Sequence, residues 1–222
     1  MQLFVVKVFV GPDGRGGNPL GVFLDAASVP TEQRQAIAAD LGFSETVFVT
    51  DRASGALRIH TPAVELGLAG HPLVGTSWLL RAEGTGVDVL RPPAGDVPTW
   101  ADGEFTWIRA DPQWGPPFEL RQLVSPAEVD AFPGCGPDEY LEVWAWDDEP
   151  SGQVRARVFA TAAGIFEDEA TGSAALRLGA ALGCPITIRQ GVGSQILARP
   201  ASDGRVEVGG RVELVSQREY VV

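Results

Sequence analysis

Two stretches decide the fold: Leu57-Arg58-Ile59-His60-Thr61-Pro62, leading through Gly70 into His71 to Ala82 (HPLVGTSWLLRA), and Arg157-Val158-Phe159-Ala160-Thr161, leading through Gly172 into Ser173 to Leu182 (SAALRLGAAL). Each begins with an alternating run that suits a strand with one buried face. Each ends in a helix candidate with few polar side chains on any face, and such a helix must be enclosed by other elements. Gly70 and Gly172 lie 102 residues apart, and Thr61 and Thr161 lie 100 apart, so the two halves echo each other as strand, loop, glycine, buried helix. The expectation is an α+β protein of two pseudo-symmetric lobes, each a curled mixed β-sheet around a central apolar helix. The Pro- and Trp-rich stretch Asp111 to Phe118 is the place to divide them, giving residues 1–112 and 113–222 with a cleft between.

Outward from these stretches, short runs of β character dominate: Leu3 to Val10, Thr46 to Thr50, Ala56 to His60, Val87 to Arg91, Glu104 to Arg109, Leu141 to Trp146, Val154 to Ala160, Ile186 to Gln190, Arg205 to Val208 and Arg211 to Val215. The 27 Gly and 17 Pro supply turn signals between them. Gly11 to Gly17 reads as a hairpin turn. Two surface helices are expected: Pro30 to Leu41, closed by Gly42, and Pro126 to Phe132, with Ser125 as N-cap.

Composition excludes several classes. The 222 residues carry 29 Asp and Glu against 17 Lys and Arg, a formal charge of −12 that repels phosphate backbones and anionic lipid heads. No basic run offsets it, so neither nucleic acid nor a membrane surface is an expected partner. Met1 to Val10 alternates like a strand and has no basic leader, and no apolar run approaches the roughly 20 residues that span a bilayer. Cys135 and Cys184 are too few for a disulfide framework and form no CxxC pair, which suits a reducing, cytoplasmic compartment.

The chemistry concentrates at the two glycine loops. The first amides of a helix have no intrahelical partner and the macrodipole is positive there, so a glycine lets a carboxylate or phosphate approach. Gly70 to Ser77 imitates a phosphate-binding GxxxxGK[ST] loop but has Thr76 where lysine belongs, which argues against nucleotide. Glu167-Asp168-Glu169 precedes Gly172-Ser173, so its carboxylates lie beside a helix start; simple capping by Asp168 or Thr171 is the competing explanation. Ser173 lacks a nucleophile elbow and reads as a hydrogen-bond donor. His71, one of two histidines, stands at a helix start. Glu45 lies where a helix-to-strand connection enters a β run. A metal reading joining these acids to His60 and His71 lacks the i, i+4 histidine spacing of a zinc helix, so no metal is expected.

These residues resemble the PhzF-like (phenazine biosynthesis) isomerases, which share the fold of diaminopimelate epimerase. The resemblance covers nearly the whole chain. It is carried in order by Gly17-Asn18-Pro19-Leu20-Gly21-Val22-Phe23, Ser44-Glu45-Thr46-Val47-Phe48-Val49, Arg58 to Pro62 with Glu65-Leu66 and Ala69-Gly70-His71-Pro72, Gly164 to Ala174, and Gln190-Gly191. It implies a cofactor-independent isomerase in which Glu45 is the acid/base, taking a proton from one carbon of a small carboxylate and returning it at another. It further implies that His71 and Asp168 orient the substrate, that Gly70, Gly172 and Ser173 hydrogen-bond its polar groups, and that the chain forms a homodimer. The epimerase branch of the fold uses a thiol in each glycine loop. Here the loops carry His71 and Ser173 instead, so a one-acid isomerase is favoured over a two-base epimerase. Glu169 replaces the family's usual proline, His60 stands where an aromatic is usual, a late family arginine is missing although Arg199 is near in sequence, and the connections between Arg91 and Val154 are short. These departures leave the natural substrate and pathway open. The alternatives are a non-catalytic small-metabolite binding protein that retains the fold and a metal-dependent hydrolase.

Overall fold

The alternating runs form strands that pair across the whole molecule, and the computed structural model describes residues 1–221. The strands are β1 (Gln2–Val10), β2 (Gly16–Phe23), β3 (Glu45–Asp51), β4 (Ala56–His60), β5 (Glu65–Leu66), β6 (Val89–Leu90), β7 (Val97–Asp102), β8 (Phe105–Ala110), β9 (Glu119–Gln122), β10 (Tyr140–Asp148), β11 (Gln153–Ala160), β12 (Ile165–Asp168), β13 (Ile186–Gln190), β14 (Ser194–Pro200) and β15 (Val206–Glu219). The helices are α1 (Thr31–Leu41), α2 (Gly70–Ala82), α3 (Pro126–Asp130) and α4 (Gly172–Leu182).

The sheet runs β5-β4-β3-β2-β1-β15-β14-β13-β11-β10-β9, with β12 joined to β11 and β8 to β15. It is mixed: β2/β3, β9/β10 and β11/β13 are parallel and the other pairs antiparallel. The fold is α+β as expected. Helices α2 and α4 lie inside it: α2 packs on β1, β8 and β15, α4 packs on β14 and β15, and the two helices touch each other. Ten of the thirteen residues of α2 are buried, which is why it has no polar face. Together with Leu20, Ile59, Ile108, Ile188 and Ile196 these helices form one continuous core.

Strand β15 ties the halves together. Its second part, from Arg211, pairs with β1, while Val206 to Gly210 pair with β8. Sequence reasoning splits this strand at Gly209-Gly210, because paired glycines read as a turn. Their actual role is close approach: a Cβ on Gly209 would lie 2.4 Å from the Trp107 ring, and one on Gly210 would lie 2.4 Å from the Phe9 ring. Strand β2 is likewise hidden in sequence by Gly17 and Pro19, yet it pairs with both β1 and β3. The surface helices behave as capped helices should: Gly42 closes α1 in the left-handed region at φ 66°, and the Ser125 side chain accepts from the Glu128 amide at the start of α3. Helix α3 ends at Asp130, two residues short of the expected Phe132. No described helix is long and apolar enough to cross a membrane.

Candidate active site

The starts of α2 and α4 meet. A Cβ on Gly70 would sit 2.6 Å from Gly172 backbone carbons, and one on Gly172 would sit 2.8 Å from Gly70 Cα. Only glycine at both positions lets the two sets of free helix-start amides converge. Beside this junction Glu45 opens β3, its alternation with Val47 and Val49 turning it toward the interior. His71 follows Gly70 in the first turn of α2, and its Nδ1 lies 3.4 Å from Glu45 Oε2. Asp168 ends β12, and Ser173 stands in the first turn of α4. All four side chains are buried, with Glu45 7%, His71 2%, Asp168 5% and Ser173 6% exposed. Glu45, Asp168 and Ser173 line one pocket, whose remaining walls include Leu66, Leu68, Phe118, Tyr140 and Ile165. A larger hollow at Arg15, Asp147 and Arg189 is an open surface groove with none of these groups.

Burial sets the electrostatics. It pushes Glu45 up to about 8, and the neighbouring Asp168 charge adds to the rise. Asp168 is pushed up to about 6 by burial, against the Thr171 hydroxyl and the Asn18 amide that donate to its carboxylate at 2.6 Å each. His71 is pulled down to about 3 by burial, so its imidazole is neutral. The two carboxyls titrate as a pair, and once the first proton is lost on rising pH one proton remains between them. The donors on Asp168 favour its anion, so Glu45 keeps that proton. Glu45 Oε2 and His71 Nε2 are buried and have no hydrogen-bond partner among the described residues, so each keeps an unused hydrogen-bonding position beside the other.

Comparison with known proteins identifies the family. The family model described as phenazine biosynthesis-like protein (PhzC-PhzF) matches residues 6–108. The trans-2,3-dihydro-3-hydroxyanthranilate isomerase of Pseudomonas fluorescens is 32% identical over 89% of this chain and 89% of its own length. The chain belongs to the phenazine biosynthesis-like, or PhzF-like, family. A crystal structure of a PhzF-family phenazine biosynthesis protein from Bacillus anthracis superposes with a TM-score of 0.77 at 20% identity, covering all of this chain and 99% of that one. A hydroxyproline epimerase from Agrobacterium vitis shares the fold more distantly, with a TM-score of 0.63 at 15% identity over 98% of this chain and 91% of that one. Named isomerases among the family's members support an isomerase function for this chain.

Within this PhzF-like frame the structure brings Glu45, Gly70, His71, Asp168, Gly172 and Ser173 together. It keeps His60 apart. His60 pairs with Thr46 on the opposite face of the sheet, its Nδ1 3.1 Å from Gln35 Oε1 and its ring edge-on to Phe48, so it cannot share an ion with His71. Glu169 turns away from the pocket: it accepts from the Val192 amide at 3.0 Å and the Ser194 hydroxyl at 2.7 Å, bracing the turn between β13 and β14. Arg199 does not replace the missing arginine, because it pairs with Glu207 at 2.6 Å and lies over Trp107. Two residues to which the sequence alone gives no role also build the site. Asn18 holds Asp168 and the Ala170 carbonyl through its amide nitrogen and accepts from Ser44. Gln190 donates to the Asp168 carbonyl and the Thr171 hydroxyl and accepts from the Thr171 amide. Both lie within the motifs that carry the resemblance, and that was the available signal.

Proposed function

We propose that this chain is a cofactor-independent isomerase that shifts a proton, and with it a double bond, within a small carboxylated metabolite, with Glu45 as the acid/base. The observation that carries the reading is a buried Glu45 carboxyl with a free oxygen, 3.4 Å from His71, in one pocket with Asp168 and Ser173 beside two converging helix starts. The substrate carboxylate docks at those amides, where Gly70, Gly172 and Ser173 supply hydrogen bonds. Glu45 in its ionised form takes a proton from one carbon, and the C–H electron pair becomes a new double bond as the old one shifts. Glu45 then returns the proton to the far end of the system, so atoms and charge balance without a cofactor or metal. Neutral His71 and hydrogen-bonded Asp168 orient the substrate against Glu45. The trans-2,3-dihydro-3-hydroxyanthranilate isomerase among the relatives supports a small, unsaturated ring carboxylate as the substrate class. The same reading makes the chain a cytoplasmic homodimer with lobes divided at 112/113, β15 being lent across the division; the two free cysteines support the compartment.

The test is proton exchange in D₂O followed by NMR on trans-2,3-dihydro-3-hydroxyanthranilate and a panel of small unsaturated amino and hydroxy acids, for wild type and Glu45→Gln. Deuterium enters substrate with wild type and not with the variant. Equal exchange by both proteins would remove Glu45 from the mechanism, and absence of exchange by either favours a binding protein.

A further inference from the structure

Strand β10 carries a carboxyl where its packing calls for an apolar side chain. Glu142 is 1% exposed, its Oε2 has no hydrogen-bond partner among the described residues, and it alternates with Trp144 and Trp146, which pack on the central core. Burial alone pushes it up to about 8, so at neutral pH it is a neutral carboxyl. A buried polar group left unpaired costs free energy that an apolar residue would not, and an outlier of this kind calls for an explanation.

The sheet register gives its position. Glu142 pairs with Leu120 of β9 and Val158 of β11, and Val158 pairs with Asp168 of β12. Side chains in one ladder row share a face of the sheet, so Glu142 and Asp168 face the same side. The next row along contains Tyr140 and Ala160, with Ile165 paired to Ala160, and all three line the Glu45 pocket. Phe118, just ahead of β9, meets Tyr140 edge-to-face at 5.3 Å and lines the pocket too. Glu142 therefore lies one step along the strands from the pocket's aromatic wall, on the same face of the sheet, without itself lining the pocket.

We propose that Glu142 is a specificity-determining residue of the Glu45 pocket, its carboxyl hydrogen-bonding a hydroxyl or amino substituent of the substrate remote from the carboxylate held at the helix starts. This rests on the isomerase reading above. A neutral carboxyl both donates and accepts, which matches a hydroxyl or amine and rejects a bare carbon in its place. The rest of that wall is Phe118, Ala160 and Ile165, which provide shape, with the Tyr140 hydroxyl as the other group able to hydrogen-bond.

The test titrates wild type, Glu142→Gln and Glu142→Leu calorimetrically with 3-hydroxyanthranilate and anthranilate, planar carboxylates that differ by one hydroxyl. Wild type binds the hydroxylated compound about tenfold more tightly, the worth of one hydrogen bond. Glu142→Leu binds the two equally, and Glu142→Gln keeps most of the preference because an amide also donates and accepts. Should the leucine variant fail to fold by circular dichroism, Glu142→Met takes its place. A merely structural Glu142 shifts both affinities together and leaves their ratio intact; that result overturns the proposal, as does a wild type without preference or without binding of either probe. The two readings fail separately. If Glu45→Gln exchanges deuterium as wild type does while the ratio still collapses in Glu142→Leu, the acid/base assignment falls and the specificity assignment stands.

Discussion

Replacing Gly70 by alanine tests the junction on which the site depends. The added carbon would stand 2.6 Å from two backbone carbons of Gly172 and 2.9 Å from the Ser173 nitrogen. Carbon atoms rest at about 3.5 to 4.0 Å, so the two helix starts must separate by about 1 Å. The obstacle is backbone on both sides, and no side chain can swing away. The cost therefore belongs at the upper end of overpacking, about 3 kcal/mol, which for a chain of this size lowers Tm by about 6 to 12 °C. Activity falls as well, by about a hundredfold, because a misplacement of about 1 Å carries about that cost in rate. Scanning calorimetry and the deuterium-exchange assay read the two effects. Gly172→Ala removes the same close approach from the other side, so the double variant loses less than the two single losses combined. Gly67→Ala is the control, since its new carbon meets nothing closer than 3.8 Å. A Gly70→Ala protein that unfolds within about a degree of wild type, where about 3 kcal/mol of overpacking is expected, would show that the helix starts do not meet as described.

Other consequences are equally direct. Glu45 must be ionised to accept a proton and burial holds it near 8, so kcat/KM rises with pH toward an apparent pKa of about 8; Asp168→Asn removes a like charge and moves that limb to lower pH, while a profile flat from pH 6 to 9 would contradict the assignment. Asn18→Ala strips a 2.6 Å donor from buried Asp168, which raises the Asp168 pKa and costs about 1 to 3 kcal/mol in urea unfolding. Glu169→Ala releases the Val192 amide and the Ser194 hydroxyl, which lowers Tm in scanning calorimetry, and it removes a like charge that raises the Asp168 pKa. Glu142 titrates near 4.5 when unfolded and about 8 when folded, so the folded state binds the extra proton. Its contribution to stability is complete below pH 4.5 and is lost as pH rises through 8, by at most about 5 kcal/mol, and Glu142→Gln flattens that part of the stability curve.

What could be read from sequence divides along a physical line. Helices α2 and α4 were legible because an all-apolar helix has one place to go, and the matched spacing of Gly70 and Gly172 revealed the repeat that folds them face to face. Strands β2 and β14 were not, since Gly17-Asn18-Pro19 and the Gly193-Ser194 turn carry breaker residues that serve long-range contacts: the Gly17 amide donates to Ser194 Oγ, 177 residues away. Gly209-Gly210 misled for the same reason, being small to admit Trp107 and Phe9 rather than to turn the chain. Glu45 could be found only through its motif, because an acid at a strand entrance is ordinary until the fold buries it against His71. Glu142 carries no sequence signal that ties it to the site. In sequence it is one polar residue in the run Tyr140-Leu141-Glu142-Val143-Trp144, and alternation would place it with the inward-facing tryptophans, where a lone acid reads as an irregularity. Only the register across β9, β10, β11 and β12 sets it in line with Asp168 and beside the pocket. The charged groups with the largest departures from ordinary behaviour, Glu45, His71, Asp168 and Glu142, are thus the ones whose surroundings come from distant parts of the chain, and a short-range pattern carries no information about a dielectric assembled from the two ends of a sheet.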